Sequence, residues 1–294
     1  PRLRPVRGLR SLRKALLISS DITASLIPPS SLANRSNHDT VRLRSSHFEW
    51  TKKWRQVTMD ARYERYKDWK NWGGDIIIPN WLSRYYEKEI KRARLPRFES
   101  VLEIGFGNGE FLYWAQSQGV SAVGLEINPD VVEAAILQKL EVHEWNIAGE
   151  IEDINPLGKT KFDCIVAFDV FKHLTHEEVE IVFSRLAVRL IPGGKILLRV
   201  PNGESPFYLP LQNADPTHQT HMTRLKIEYL CLAANLQLET YRNSARVTNR
   251  ASVAFIMWIC FCFRDLLEIS IGHAYYFQRR PLDPNATVVL SARR

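Results

Sequence analysis

The sequence predicts an α/β fold in which a mostly parallel sheet carries helices on both faces. Two observations predict it. From about residue 100, short apolar runs alternate with amphipathic stretches at helical spacing; parallel strands joined by crossover helices account for that alternation. Between the first run and the first helix lies Glu103-Ile104-Gly105-Phe106-Gly107-Asn108-Gly109. Its alternate glycines let the backbone turn tightly and approach a ligand closely, and the helix behind it offers free N–H groups and a positive dipole end.

The elements follow in order. Trp81, Leu82, Tyr85, Tyr86 and Ile90 fall at helical spacing, so Asn80 to Arg92 reads as a helix. Strands are expected near 100–104, 121–126, 141–145, 162–168 and 195–200, and helices near 109–118, 129–139, 176–190 and 224–234. Asn128 reads as an N-cap with Pro129 at the first helical position and Asp130 in the first turn. Thr175-His176-Glu177-Glu178 reads as a capping box, followed by Val179, Val182, Phe183, Leu186 and Leu190 on one face. Two later strands are expected near 236–241 and 285–290. Ligand sites fall at the carboxyl ends of such strands, where the glycine motif and Glu126 cluster.

Composition supports a sizeable core, with 294 residues, 45% of them hydrophobic and 11% aromatic. The net charge of +8 belongs to one end. Residues 1–57 hold 12 Lys and Arg against 3 Asp and Glu, while the remainder holds 28 against 29. A near-neutral body argues against a broad nucleic-acid footprint. Residues 1–47 are rich in Arg and Ser and carry Pro28-Pro29, which fits a disordered tail, a targeting segment or a basic surface anchor. The chain opens on Pro1 rather than Met, so a fragment or a mis-assigned start is a further reading of this segment. Residues 48–95 form an aromatic-rich arm, with Trp50, Trp54, Tyr63, Tyr66, Trp69 and Trp72 among charged residues. Burial of those rings against the fold is expected, with stacking on nucleic acid as the alternative. Cys164, Cys231, Cys260 and Cys262 show no Cys-x-x-Cys spacing, and reduced, buried thiols in the cytoplasm are expected.

The glycine spacing departs from the Gly-x-Gly-x-x-Gly of dinucleotide enzymes, because the third glycine comes one residue early and Glu110 takes its slot. It resembles motif I of the class I S-adenosylmethionine (SAM) methyltransferases. Gly124-Leu125-Glu126, Phe162-Asp163-Cys164-Ile165-Val166-Ala167-Phe168-Asp169 and Pro192-Gly193-Gly194 continue that resemblance from about residue 98 to 245. It implies a Rossmann-like, seven-stranded sheet with an antiparallel last strand over residues 96–294. It also implies S-adenosyl-L-methionine as cofactor, in contact with Glu103, Gly105, Phe106, Gly107, Asn108, Gly109, Glu126, Ile127, Asn146, Ile147, Phe168 and Asp169. Glu126, closing the second strand, is placed for the ribose hydroxyls. Asn146 stands where the family commonly has Asp for the adenine amino group, and its amide oxygen can still accept that bond.

Residues 200–223 and the later Pro281-Leu282-Asp283-Pro284-Asn285 look like segments of methyltransferases from polysaccharide and lipopolysaccharide gene clusters and of relatives of the ubiquinone-biosynthesis O-methyltransferases. That likeness implies O-methylation of a hydroxyl on a sugar, a glycan or a lipid-linked small molecule. A quinone precursor and a non-catalytic interaction subunit are the alternatives. A base-modifying enzyme is disfavoured, because Phe168-Asp169-Val170-Phe171 lacks the Asn/Asp-Pro-Pro-aromatic signature. His218 and His173 are the candidate general bases, His218 first because acceptor-side residues come from the insertion that holds it. Lys172 stands before His173 where the family usually has Glu, so no metal is expected. The unbroken apolar run Val253 to Phe263 lies in an expected helix, 252–272, and is stopped from spanning a membrane by Arg264, Asp265 and Glu268. Packing on the sheet, a dimer interface and peripheral membrane contact are its three readings. Cytoplasmic localisation is expected, with membrane association or organelle targeting as variants.

Overall fold

In the computed structural model, residues 69–70, 72–146, 149, 156–248 and 251–293 are described. Residues 1–68, which hold the basic segment and most of the aromatic arm, lie outside them, as does Ile147. The first element is α1 (Asn80–Ala93), followed by β1 (Ser100–Ile104), α2 (Glu110–Ser117), β2 (Ser121–Glu126), α3 (Pro129–Leu137), β3 (Glu141–Glu144) and β4 (Phe162–Phe168). A 3-10 turn, Phe171–His173, leads to α4 (His176–Ala187), β5 (Leu190–Pro201), the short α5 (Leu209–Asn213) and α6 (Arg224–Ala233). Then come β6 (Leu236–Asn243), α7 (Ala254–Tyr276) and β7 (Asn285–Ala292).

Local chemistry sets the helix starts. Asn128 Oδ1 accepts from the N–H groups of Asp130 and Val131 at the head of α3, ahead of Pro129. At α4 the Thr175 side chain accepts from Glu178 N, and the Glu178 side chain accepts from Thr175 N. The expected helix over 176–190 ends early, at Ala187, because Leu190 already pairs with Phe162 as the start of β5. The final helix is longer than its apolar run suggested, reaching Tyr276.

The seven strands form one sheet in the order β3-β2-β1-β4-β5-β7-β6. The first five in that order are mutually parallel, with Leu102 opposite both Val123 and Ile165. The last strand, β7, runs antiparallel to both β5 and β6 and inserts between them, leaving β6 at the edge. One face of the sheet packs on α4 and α6 through Val179, Val182, Phe183, Leu186, Ile227 and Leu230. The other packs on α1, α2 and α3 through Tyr86, Phe111, Trp114, Val131 and Ala135. Strands covered on both faces read as continuous apolar runs, as Cys164-Ile165-Val166-Ala167 does; all four are fully buried. The strand order reverses between β1 and β4, with β2 and β3 laid down on one side and β5 on the other, and the crevice outside their carboxyl ends is the place for a ligand.

Candidate active site

A cavity of about 510 Å³ occupies that crevice. Its floor is the glycine loop. Gly105 N donates to Leu125 O at 2.7 Å, tying the loop to the end of β2. Gly105 has φ +63°, and a Cβ there would meet Val170 Cγ2 at 2.6 Å. Gly107 has φ +56°, and a Cβ there would meet the Trp72 ring at 3.0 Å. Both conformations disfavour L side chains, and both positions hold the loop flat between the sheet and the arm. Gly73 N donates to Asn108 Oδ1 at 3.1 Å, which clips the arm to the loop. Trp72 therefore lies against the glycine loop, as expected of the arm, whereas Trp69 is exposed.

Two buried carboxylates face the cavity. Glu126 Oε1 accepts from Ile127 N at 2.8 Å and Asn128 N at 3.3 Å, and Oε2 accepts from Gly107 N at 3.2 Å. Burial raises its pKa, and these three N–H donors work against the rise. Glu103 is raised well above the ordinary carboxylate value by burial, then by the nearby Glu110 and Glu126. Its Oε2 is buried without a hydrogen-bond partner among the described residues. An orphaned buried acceptor of this kind calls for a donor from a ligand.

The remaining walls bring together most of the expected residues. Phe106, Asn108, Ile127, Asn146, Phe168 and Asp169 all line the cavity, while Gly109 lies just behind it as the N-cap of α2. Asp169, at φ +63°, is bound by Arg199 Nε at 2.6 Å. Burial works to raise the Asp169 pKa, but Arg199 and Lys172 outweigh it and hold the carboxyl below its usual value. Arg199 also lies over the Phe168 ring at 5.1 Å. The sequence reading missed Lys70, Tyr86, Trp145, Arg199, Thr217 and Gln219 as lining residues. Arg199 carried the clearest signal, a cation inside the apolar β5 run Ile196-Leu197-Leu198-Arg199-Val200.

The two candidate bases separate. His173 lines the cavity; His218 does not, and packs behind it with ring centroids 4.8 Å apart. His173 Nδ1 lies 2.7 Å from Thr217 Oγ1, and Thr217 Oγ1 donates to Asp215 Oδ1 at 2.6 Å. Because that hydroxyl proton goes to the carboxylate, Thr217 Oγ1 accepts from His173 Nδ1–H, and Nε2 becomes the basic nitrogen of the ring. Burial first, then Lys172 and His218, lower the His173 pKa to about 4. His218 Nδ1 points at Gln212 O, 3.0 Å away, and its Nε2 lies 3.6 Å from Asp215 Oδ2. Ligand atoms of His173, Asp215 and His218 lie within 4.8 Å of one another. Lys70 Nζ sits 3.9 Å from Asp215 Oδ2, and Lys172 acts on both imidazoles. Two ammonium groups at this cluster oppose a divalent cation.

A glycine loop, an acid at the end of the second strand and a cavity at the switch point define a nucleoside-binding site on an α/β sheet. A family model described as "Methyltransferase domain" matches residues 80–241, more than half of the chain. The chain belongs to this methyltransferase family and is a SAM-dependent methyltransferase. Among solved structures, a SAM-dependent methyltransferase from Archaeoglobus fulgidus is similar at 16% identity and TM-score 0.52, over 78% of this chain and 98% of that one. An S-adenosylmethionine-dependent methyltransferase from Clostridium acetobutylicum is similar at 10% identity and TM-score 0.50, over 74% and 93%. At these identities the likeness is one of fold. No curated protein matches the chain in sequence.

Proposed function

We propose that this methyltransferase methylates a hydroxyl of a sugar, a glycan or a lipid-linked small molecule, with His173 accepting the hydroxyl proton. The observation that supports the reading is the Asp215–Thr217–His173 chain, which leaves Nε2 as the basic nitrogen of an imidazole that lines the cavity. Bound SAM supplies a methyl carbon already activated by its sulfonium charge. The residues fit that cofactor. Glu126 has acceptor capacity left for ribose hydroxyls, and Glu103 Oε2 awaits a donor. The flat glycine loop admits a chain close to the backbone, and Asn146 and Trp145 are at hand for the adenine end.

What the protein adds is position and a proton acceptor. A protonated hydroxyl is a weak nucleophile, and a base within hydrogen-bond reach accelerates its transfer by roughly a hundredfold or more. His173 is neutral at physiological pH, so it is ready to take that proton without first losing one. Thr217 orients the ring, and Asp215 offsets part of the burial and of the Lys172 charge that disfavour the imidazolium. Lys70, Lys172, Thr175, Thr217 and Gln219 surround this end of the cavity. Such a polar wall suits a hydroxyl-rich acceptor better than an aromatic one.

Transfer from labelled SAM to oligosaccharides, lipid-linked glycans, quinol precursors and RNA tests the reading. The expected label is an alkali-stable ether on a glycan or lipid-linked acceptor. Label confined to nitrogen, to RNA or to a quinol would replace this reading.

A further inference from the structure

The helix α7 is built inside out. Its charged residues Arg264, Asp265 and Glu268 are paired toward the protein. Glu268, 4% exposed, accepts from Arg279 Nε at 2.7 Å, from Leu282 N and from Asn243 Nδ2. Asp265 accepts from Arg246 at 2.8 Å, and Arg264 pairs with Asp283. Of the 23 residues in α7, only Glu268 and Gly272 are buried. Phe255, Ile259, Phe263 and Leu266, at spacings of three and four, are 70, 48, 60 and 60% exposed. They fall on the face opposite Glu268. Ile256, Leu267, Trp258 and Ile269 flank them and are also exposed. At about 100° per residue these side chains cover roughly half of the helix circumference. The stripe by which an ordinary surface helix packs on its core is narrower and faces the other way. Continuous exposed apolar patches of this breadth mark interaction sites.

A second feature indicates the occupant. At the amino-terminal end of α7, a cavity of about 230 Å³ is lined by Arg84, Lys88, Arg246, Thr248, Trp258 and Phe261. Arg84 donates to Thr248 O at 2.7 Å and Lys88 to Arg246 O at 3.0 Å. Neither pairs with a carboxylate among the described residues, and both are exposed. Cations beside a Trp, at the border of an apolar helical face, are the arrangement that anionic headgroups and the first acyl carbons match. No helix among the described residues is long and apolar enough to cross a membrane, so α7 would lie in the interface.

We propose that α7 and its basic groove dock the enzyme on the surface of an anionic lipid bilayer. The bonds that pin α7 end on Asn243, Leu282 and Asp283, beside the end of β6 and the start of β7, the latter paired with the carboxyl end of β5. This docking goes beyond the proposed acceptor and does not depend on it.

The test is co-sedimentation of the full chain with vesicles of phosphatidylcholine alone or with a third phosphatidylglycerol. Trp258 emission and analytical ultracentrifugation are followed in parallel. Preferential binding to the anionic vesicles, by about tenfold or more and weakened by salt, is expected. Leu266→Glu with Phe263→Glu should abolish binding to both vesicles. Arg84→Glu with Lys88→Glu should remove only the anionic preference. Both variants should retain SAM binding by calorimetry, which separates loss of docking from loss of folding. Two results overturn the proposal. One is a wild-type chain that ignores both vesicles but self-associates until Leu266→Glu disperses it, which assigns the face to a second copy. The other is a monomer that ignores both vesicles.

Discussion

The lowered basicity of His173 makes a prediction with a definite sign. In the proposed reaction the neutral ring is the active form, and burial together with Lys172 and His218 holds its pKa near 4 against about 6.5 for a solvated imidazole. At pH 5.5 a base of pKa 4 is still about 97% neutral, whereas one at 6.5 is about 9% neutral. Turnover at saturating substrate should therefore be nearly the same at pH 5.5 and pH 7.5, rather than falling about tenfold. Stability follows the same shift. The unfolded chain takes up a proton near pH 6.5 that the folded ring refuses until about pH 4. Stability is then unaffected above about pH 6.5, falls as the pH drops through that window, and loses at most about 3 kcal/mol below it. Ring-labelled histidine followed by NMR checks the pKa before any acceptor is known, with His173→Gln to assign the signal. Substituting Lys172 by Met should raise the value, though by less than the burial contribution. A His173 ring that titrates near 6.5 in the folded protein would refute the buried, oriented base.

Two further substitutions address the scaffold. Gly105→Ala places a Cβ at φ +63°, 2.6 Å from Val170 Cγ2. It should destabilise the fold by about 2–4 kcal/mol in thermal unfolding, and adding Val170→Ala should return part of that loss while the backbone penalty stays. Phe183, 1% exposed, packs edge-on against Phe171 at 5.4 Å in the turn that carries His173. Phe183→Ala should cost about 3–5 kcal/mol in urea unfolding and also shift the His173 ring signal.

What was legible in the sequence is what local chemistry decides. The turn at Gly105 and Gly107, the cap at Asn128 and the box at Thr175 and Glu178 each depend on a few neighbouring residues, and each forms as the residue types require. The parallel strands were legible because burial on both faces leaves no polar alternation. Placement across the chain was not legible. Both His173 and His218 stood near the expected acceptor, and only the folding of 200–223 onto the 3-10 turn, through Gln219 N to Lys172 O at 2.7 Å, puts His173 in front. Tyr86 reaches the cavity from α1 by tertiary packing, which its helical spacing did not reveal.

The orientation of α7 was not legible for a different reason. Its apolar residues allowed packing on the sheet, a dimer interface or membrane contact, and the sequence did not choose among them because the partners of Arg264, Asp265 and Glu268 lie far along the chain or beyond the helix. Those pairings turn the charged side inward and leave the apolar side outside. For the same reason Cys260 and Cys262, expected to be buried, are exposed, whereas Cys164 and Cys231 are buried as expected. Burial raises the Cys231 thiol to about 12.

The central claim, that the cavity between the glycine loop and Glu126 holds SAM, is tested most directly by titration calorimetry of SAM into the wild-type chain and Glu126→Ala. The substitution removes the acceptor proposed for the ribose hydroxyls and the partner of Gly107 N. A charge-assisted hydrogen-bonding group of this kind contributes about 1.5–3 kcal/mol. The wild type should bind one SAM per chain, and Glu126→Ala should bind it roughly ten- to a hundredfold more weakly. A wild-type chain that gives no binding heat, or a variant that keeps full affinity, would contradict the placement of SAM in this cavity.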